Sequence, residues 1–132
     1  MSKRKKTYTG YEIIKNIAKI LVLHRVWSGL NQTKVAKDLN VTFQQIQKYE
    51  KCMNRISAEM LIDICKKRKW DITLFMNDRP EDILNEWALH VDLKDPVSAY
   101  PLRTDQIIRK WKQIDKVGED NYYRKHHFIK HV

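Results

Sequence analysis

Apolar side chains recur at three- and four-residue steps along most of this chain, and residues able to cap helices stand at the breaks. Ile13, Ile14, Ile17, Leu21 and Arg25 share one face, which predicts a first helix from about Tyr11 to Ser28, closed by Gly29 in a left-handed conformation. Asn31 caps a second helix that ends at Leu39, with Val35, Ala36 and Leu39 inward, and Asn40 tolerates the left-handed turn that follows. Thr42 caps a third helix, Phe43–Lys51, with Ile46 and Tyr49 inward. Ser57 opens a fourth, running to about Lys69 and carrying Leu61, Ile64 and Cys65 on its apolar face. A short fifth helix is expected at Ile72–Met76. The same spacing returns over Glu81–His90 and from Thr104 or Asp105 to about Val117. With three glycines and three prolines the chain has too few turn residues for a β protein, so the fold class is all-α.

Asn77-Asp-Arg-Pro80 is the strongest candidate boundary. It divides the chain into a basic arm (1–10, with Lys3, Arg4, Lys5 and Lys6), a five-helix unit (11–78) and a helical C-terminal extension (79–132). Asp95-Pro and Tyr100-Pro bracket an irregular connector, and the last stretch from Asn121 has no clear class. The formal net charge is +10, and it is unevenly spread: residues 1–78 hold 16 Lys/Arg against 7 Asp/Glu, whereas residues 79–132 hold 10 against 9. A polyanion is therefore the expected partner of the first part. Cys52 and Cys65 lack metal-site spacing and do not make a disulfide framework, which points to a reduced, cytoplasmic setting. Lys15, Asn16, Lys19 and His24 interrupt the apolar run Ile13–Val26, so neither a signal peptide nor a membrane span is expected.

The second and third predicted helices, joined by a short turn, make a helix-turn-helix unit. A helix that reads duplex DNA needs an apolar inner face to hold it and outward side chains that pair with base edges. It also needs flanking donors that fix its register on phosphates. The segment from Thr42 to Glu50 meets these needs. Phe43, Gln44, Gln47 and Lys48 point largely outward and Gln45 lies on a flank. Glutamine pairs with adenine, lysine with guanine acceptors, and phenylalanine touches thymine methyls. Glutamine and lysine are also ordinary residues of a polar helix surface, so composition alone leaves both readings open.

From Leu21 to Met76 the chain resembles the phage repressor and Cro family of helix-turn-helix domains, the XRE class. The resemblance rests on Arg25, Leu30-Asn31-Gln32, Val35-Ala36, Leu39 and Tyr49-Glu50-Lys51. It implies a five-helix, lambda-repressor-like domain. It further implies base reading by Phe43, Gln44 and Lys48, with Gln45 and Gln47 as neighbours that reach base or backbone. Asn31, Gln32, Thr42, Lys51, Asn54 and Arg55 fall at phosphate-binding positions, and Arg25 and Glu50 fall where the family forms a partly buried ion pair. Glycine is common in the family where Cys52 stands, which raises the expectation that the following loop bends differently here.

One such domain covers few base pairs, so a double-stranded operator bound by a homodimer is expected. The extension is then a dimerisation or partner-contact element built on Ile83, Leu84, Trp87, Ile107, Ile108, Trp111 and Ile114. The leading reading is a bacterial or phage transcription regulator, a repressor rather than an activator. An antitoxin or adaptor with an autoregulatory domain, and a non-specific nucleoid-like or RNA-binding protein, are the alternatives. Paired catalytic carboxylates, a Ser/His/Asp set and a phosphate loop are all missing from the sequence, so no enzyme and no cofactor are expected. His126, His127 and His131 are read as a solvated or nucleic-acid-facing tail, with no metal. Cys52, beside Lys51, is a candidate redox-sensitive thiol.

Overall fold

The computed structural model describes residues 10–90 and 99–126, with side chains from 10 to 90 and from 103 to 121. The basic arm and the residues beyond His126 lie outside this range. Seven helices follow one another among the described residues: α1 (Gly10–Trp27), α2 (Gln32–Leu39), α3 (Phe43–Glu50), α4 (Ala58–Arg68), α5 (Ile72–Asn77), α6 (Pro80–Leu89) and α7 (Ala99–His126).

Local chemistry sets most of the boundaries. Asn31 Oδ1 accepts from the Lys34 amide at 2.8 Å, Thr42 Oγ1 from Gln45 at 3.1 Å and Ser57 Oγ from Met60 at 3.1 Å. Each satisfies a backbone donor that the first helical turn leaves without a partner. Gly29 (φ 77°) closes the turn after α1, and Asn40 (φ 56°) ends α2 in the left-handed region. Pro80 takes the first position of α6, where the missing N–H costs nothing.

α1 is the axis of the molecule. Every residue from Ala18 to Val26 is buried, including Lys19, His24 and Arg25, because α3, α5, α6 and α7 all pack against it. Ile20, Leu21, Val22 and Leu23 are completely buried, and each such side chain contributes on the order of 1.5–3 kcal/mol through burial.

α7 is longer than the sequence spacing predicts. It begins before Pro101, in the stretch expected to be an irregular connector, because a proline in the first helical turn removes only an N–H with no intrahelical acceptor. It then continues through Gly118 to His126. Tertiary contact favours glycine at that point: a Cβ there would lie 3.3 Å from Tyr11 Oη and 3.4 Å from Cys52 Cβ. α7 runs antiparallel to α1. Arg103 Nη1 donates to the Trp27 carbonyl at 3.0 Å, Trp111 Nε1 to the Lys19 carbonyl at 2.9 Å, and Gly118 reaches Tyr11.

This packing corrects the expected role of the extension's apolar face. Ile83, Leu84, Ile107, Trp111 and Ile114 are buried in the chain's own core, and Trp87 is half-buried against it. They are not offered to a partner; of the seven residues only Ile108 is substantially exposed. The boundary expected near residue 79 is the short link Asp78-Arg79 between α5 and α6, which share that core.

Two buried polar residues on α1 organise the contact with these later helices. Lys19 Nζ pairs with Asp115 at 2.7 Å and lies 3.7 Å from Glu81, joining α1 to α7 and α6. His24 sits in an aromatic cage of Trp70, Phe75 and Trp87, with ring centroids 4.8–5.0 Å away. Its Nδ1 lies 2.9 Å from the Ile20 carbonyl; that oxygen only accepts, so Nδ1 carries the proton.

Burial lowers the His24 pKa to about 4 from its ordinary 6.5. The unfolded chain thus binds a proton between these values that the folded chain rejects, and stability falls as pH drops from about 6.5 to about 4. The expected loss is about 3 kcal/mol, read by denaturant titration at pH 7 and pH 4.5. A His24→Phe variant should lose most of this pH dependence.

Candidate nucleic-acid interface

α2 and α3 meet through the three-residue link Asn40-Val41-Thr42. The amides of Asn40 and Val41 bond the Lys37 and Ala36 carbonyls at 3.2 and 3.0 Å, so the turn is built from α2's own last carbonyls. Ile46 (0% exposed) and Tyr49 (6%) plant α3 in the core. The Tyr49 hydroxyl reaches Met60 Sδ at 3.3 Å, fastening the helix to α4. On the outer side Phe43, Gln44 and Lys48 are exposed, while Gln45 and Gln47 are half-buried on the flanks. Phe43, Gln44 and Lys48 thus project from a helix whose other face cannot shift without opening the core.

A buried network anchors both ends of this unit. Arg25 Nε donates to Glu50 Oε2 at 2.6 Å and Nη2 to Oε1 at 3.0 Å, with both side chains almost wholly buried. The third guanidinium nitrogen, Nη1, donates to the Leu30 carbonyl at 2.9 Å. Gln32 Nε2 adds a bond to Glu50 Oε1 at 2.9 Å. The planar fork of arginine suits this bidentate grip, and satisfying the carboxylate from several donors offsets the cost of burying it.

The expected phosphate contacts are distributed around that network. Asn31 and Gln32 open α2, whose N-terminal amides favour an anion. The Asn31 oxygen is occupied as a cap, which leaves its amide hydrogens to donate outward. Thr42 likewise accepts as a cap and retains its O–H as a donor. Gln32 does more than the sequence pattern indicates, because its amide also bonds Glu50 and couples the anion-facing end of α2 to the base of α3.

After α3 the chain winds tightly. The amides of Lys51, Met53 and Asn54 all converge on the Lys48 carbonyl at 3.3, 2.9 and 3.3 Å. This brings Lys51, Asn54 and Arg55 beside the end of α3, with Lys51 and Arg55 exposed and Asn54 half-buried.

Cys52 adopts φ 60°, the left-handed conformation that glycine would take there, so the loop does not depart from that geometry. Its buried side chain against Gly118 of α7 holds it in place despite the strain. Burial also pushes the thiol pKa up to about 12, which removes the basis for a redox-sensing thiolate. One cross-link escaped sequence inspection: Arg68 Nε bonds Asp38 Oδ2 at 2.7 Å, and Lys67 Nζ bonds the Asp38 carbonyl at 2.7 Å, tying α4 to the end of α2. The last turn of α4 holds the cations Lys66, Lys67 and Arg68, but the acceptor of Lys67 and Arg68 lies 29 and 30 residues earlier in the chain, on α2.

Comparison with known proteins assigns this geometry. A helix-turn-helix family model matches residues 24–67. An uncharacterized HTH-type transcriptional regulator of Sinorhizobium medicae is 42% identical over 60 residues, covering 46% of this chain and 43% of its own length. A transcriptional regulator in the ATPase CF(0) region of Rhodospirillum rubrum is 49% identical over 49 residues, covering 37% of this chain and 45% of its own length. An HTH-type regulator of Rickettsia conorii is 37% identical over 65 residues, with 49% and 52% covered. The matched segment spans about half the length of these relatives or less. No solved structure is a significant match.

The ion pair is open to direct test. Arg25→Met leaves Glu50 buried with only Gln32 as a side-chain donor, and should cost about 3–5 kcal/mol in urea unfolding. Adding Glu50→Leu to that variant should recover most of the loss, because an apolar pair carries no desolvation cost. Residues 24–67 match the model of an XRE-type helix-turn-helix domain, and the described residues around them form further α-helices.

Proposed function

We propose that the protein is a transcriptional regulator that binds double-stranded DNA sequence-specifically, with α3 in the major groove. The observation that carries this reading is the combination on one short helix of a buried inner face, Ile46 and Tyr49, with an exposed outer face, Phe43, Gln44 and Lys48. Gln44 and Lys48 pair with base edges and Phe43 contacts a thymine methyl, while Gln45 and Gln47 support base or backbone contacts from the flanks. Asn31, Gln32, Thr42, Lys51, Asn54 and Arg55 fix register on phosphates.

Repression is the expected outcome, since a bound duplex site excludes other proteins from the same groove. Binding as a homodimer on two half-sites supplies the affinity that one domain lacks. With the extension's main apolar face internal, such a dimer would draw on side chains still exposed, such as Met76 and Leu89. The setting is the cytoplasm of a bacterial or phage-infected cell.

Selection of bound sequences from a random duplex pool should return a motif with two related half-sites. Against that motif, Gln44→Ala should relax preference at one base pair, with a loss of about 1–3 kcal/mol. Arg55→Ala should weaken all duplexes alike and reduce the salt slope by about one. Equal binding of the unmutated protein to specific duplex, random duplex and structured RNA would reject the proposal.

A further inference from the structure

α7 lies outside the matched segment, yet it borders the surface assigned to DNA. Arg103, Lys110 and Asn121 follow one another at steps of seven and eleven residues, close to whole numbers of turns, and so occupy one edge of the helix. That edge runs along the connections flanking α2 and α3. Arg103 bonds the Trp27 carbonyl, and its Nη2 lies 3.6 Å from where a Cβ on Gly29 would stand. Asn121 Nδ2 donates to the Lys51 carbonyl at 3.2 Å. Between them, half-buried Lys110 lies within electrostatic range of Glu50, Arg25 and Lys51.

The charges around Lys110 do not balance. Arg25, Lys51 and Lys110 bring three positive charges to a neighbourhood where Glu50 is the one carboxylate acting on Lys110. The Glu50 oxygens already accept two bonds from Arg25 and one from Gln32. Among the described residues Lys110 makes no hydrogen bond or ion pair. Partial burial therefore lowers its pKa, with Arg25 and Lys51 opposing its charge further. A lysine held in such surroundings gains from an anion brought to it from outside. The opening turn of α2, joined to Glu50 through Gln32, is the adjacent anion-favouring element.

We propose that the Arg103–Lys110–Asn121 edge of α7 belongs to the DNA interface, with Lys110 donating to a duplex phosphate that also meets the N-terminus of α2. The inference rests on the duplex-binding reading above and extends it to a helix beyond the helix-turn-helix segment. α7 thereby has two tasks: it buttresses the loop after α3 through Gly118 and Asn121, and it supplies a backbone cation that fixes the docking angle of α3.

The test uses the full chain and a mixed-sequence 24-base-pair duplex (about two turns of DNA), because phosphate contacts are independent of sequence. Affinity is measured across a salt series for the unmutated protein, Lys110→Gln, Lys110→Arg and Arg55→Gln, with thermal melting of each alone. Lys110→Gln should lower the salt slope by about one and weaken binding about five-fold near 0.1 M salt. Lys110→Arg should restore both, and melting should hold for both Lys110 variants. An unchanged slope in Lys110→Gln, beside a reduced slope in Arg55→Gln, would overturn the role of α7 and leave the duplex-binding reading standing. Failure of the unmutated protein to bind duplex would overturn both. A fall in melting temperature with no change in slope would make Lys110 a structural residue and also reject the proposal.

Discussion

The Arg25–Glu50 pair is the constraint on which the rest of the molecule turns. Arg25 belongs to the buried second half of α1, Glu50 to the last turn of α3, and the bonds to Leu30 and Gln32 draw in the start of α2. One carboxylate thus sets three helices relative to one another. A buried ion pair contributes little net stability compared with apolar packing, but it is directional. It tolerates one arrangement of these helices, which the proposed DNA-reading surface requires if it is to keep a defined angle to its flanking donors.

Specificity of geometry also accounts for the polar residues inside α1. Lys19 and His24 sit at positions that an ordinary core would fill with aliphatic side chains. Lys19 meets Asp115 and Glu81, whereas His24, neutral and caged by aromatic rings, bonds the Ile20 carbonyl. Both bind the later helices to α1: Lys19 through charge, His24 through ring packing with Trp87. The extension is thereby placed against α1 at two points, and α7 is carried past the end of α3.

That placement changes what the C-terminal half does. Its apolar residues complete a core whose other wall is α1, and the half-buried edge of α7 that carries Arg103 and Asn121 borders the connections on either side of the helix-turn-helix unit. The strained conformation at Cys52 belongs to the same arrangement. A left-handed cysteine persists because Gly118, lacking a Cβ, lets α7 approach closely and enclose it.

Much of this was legible without coordinates, for reasons that are local. The caps at Asn31, Thr42 and Ser57 and the turns at Gly29 and Asn40 follow from short-range hydrogen bonding and backbone sterics. The inward residues of α2, α3 and α4 follow from the 3.6-residue period, whereas Ile13, expected on the apolar face of α1, is half exposed and the second half of α1 is buried all round. The outward direction of Phe43, Gln44 and Lys48 is fixed once Ile46 and Tyr49 are inward. The tertiary structure alone decided that Pro101 and Gly118 lie within one long helix and that Trp111 and Ile114 face α1 rather than a partner. It alone decided that Gln32 shares Glu50 with Arg25, and that Lys110 stands beside them. Periodicity identifies which face of a helix is apolar but not which surface covers it. A glycine reads as a break until a neighbour's close approach makes it necessary, and the balance of charge around a lysine exists only when residues distant in sequence meet.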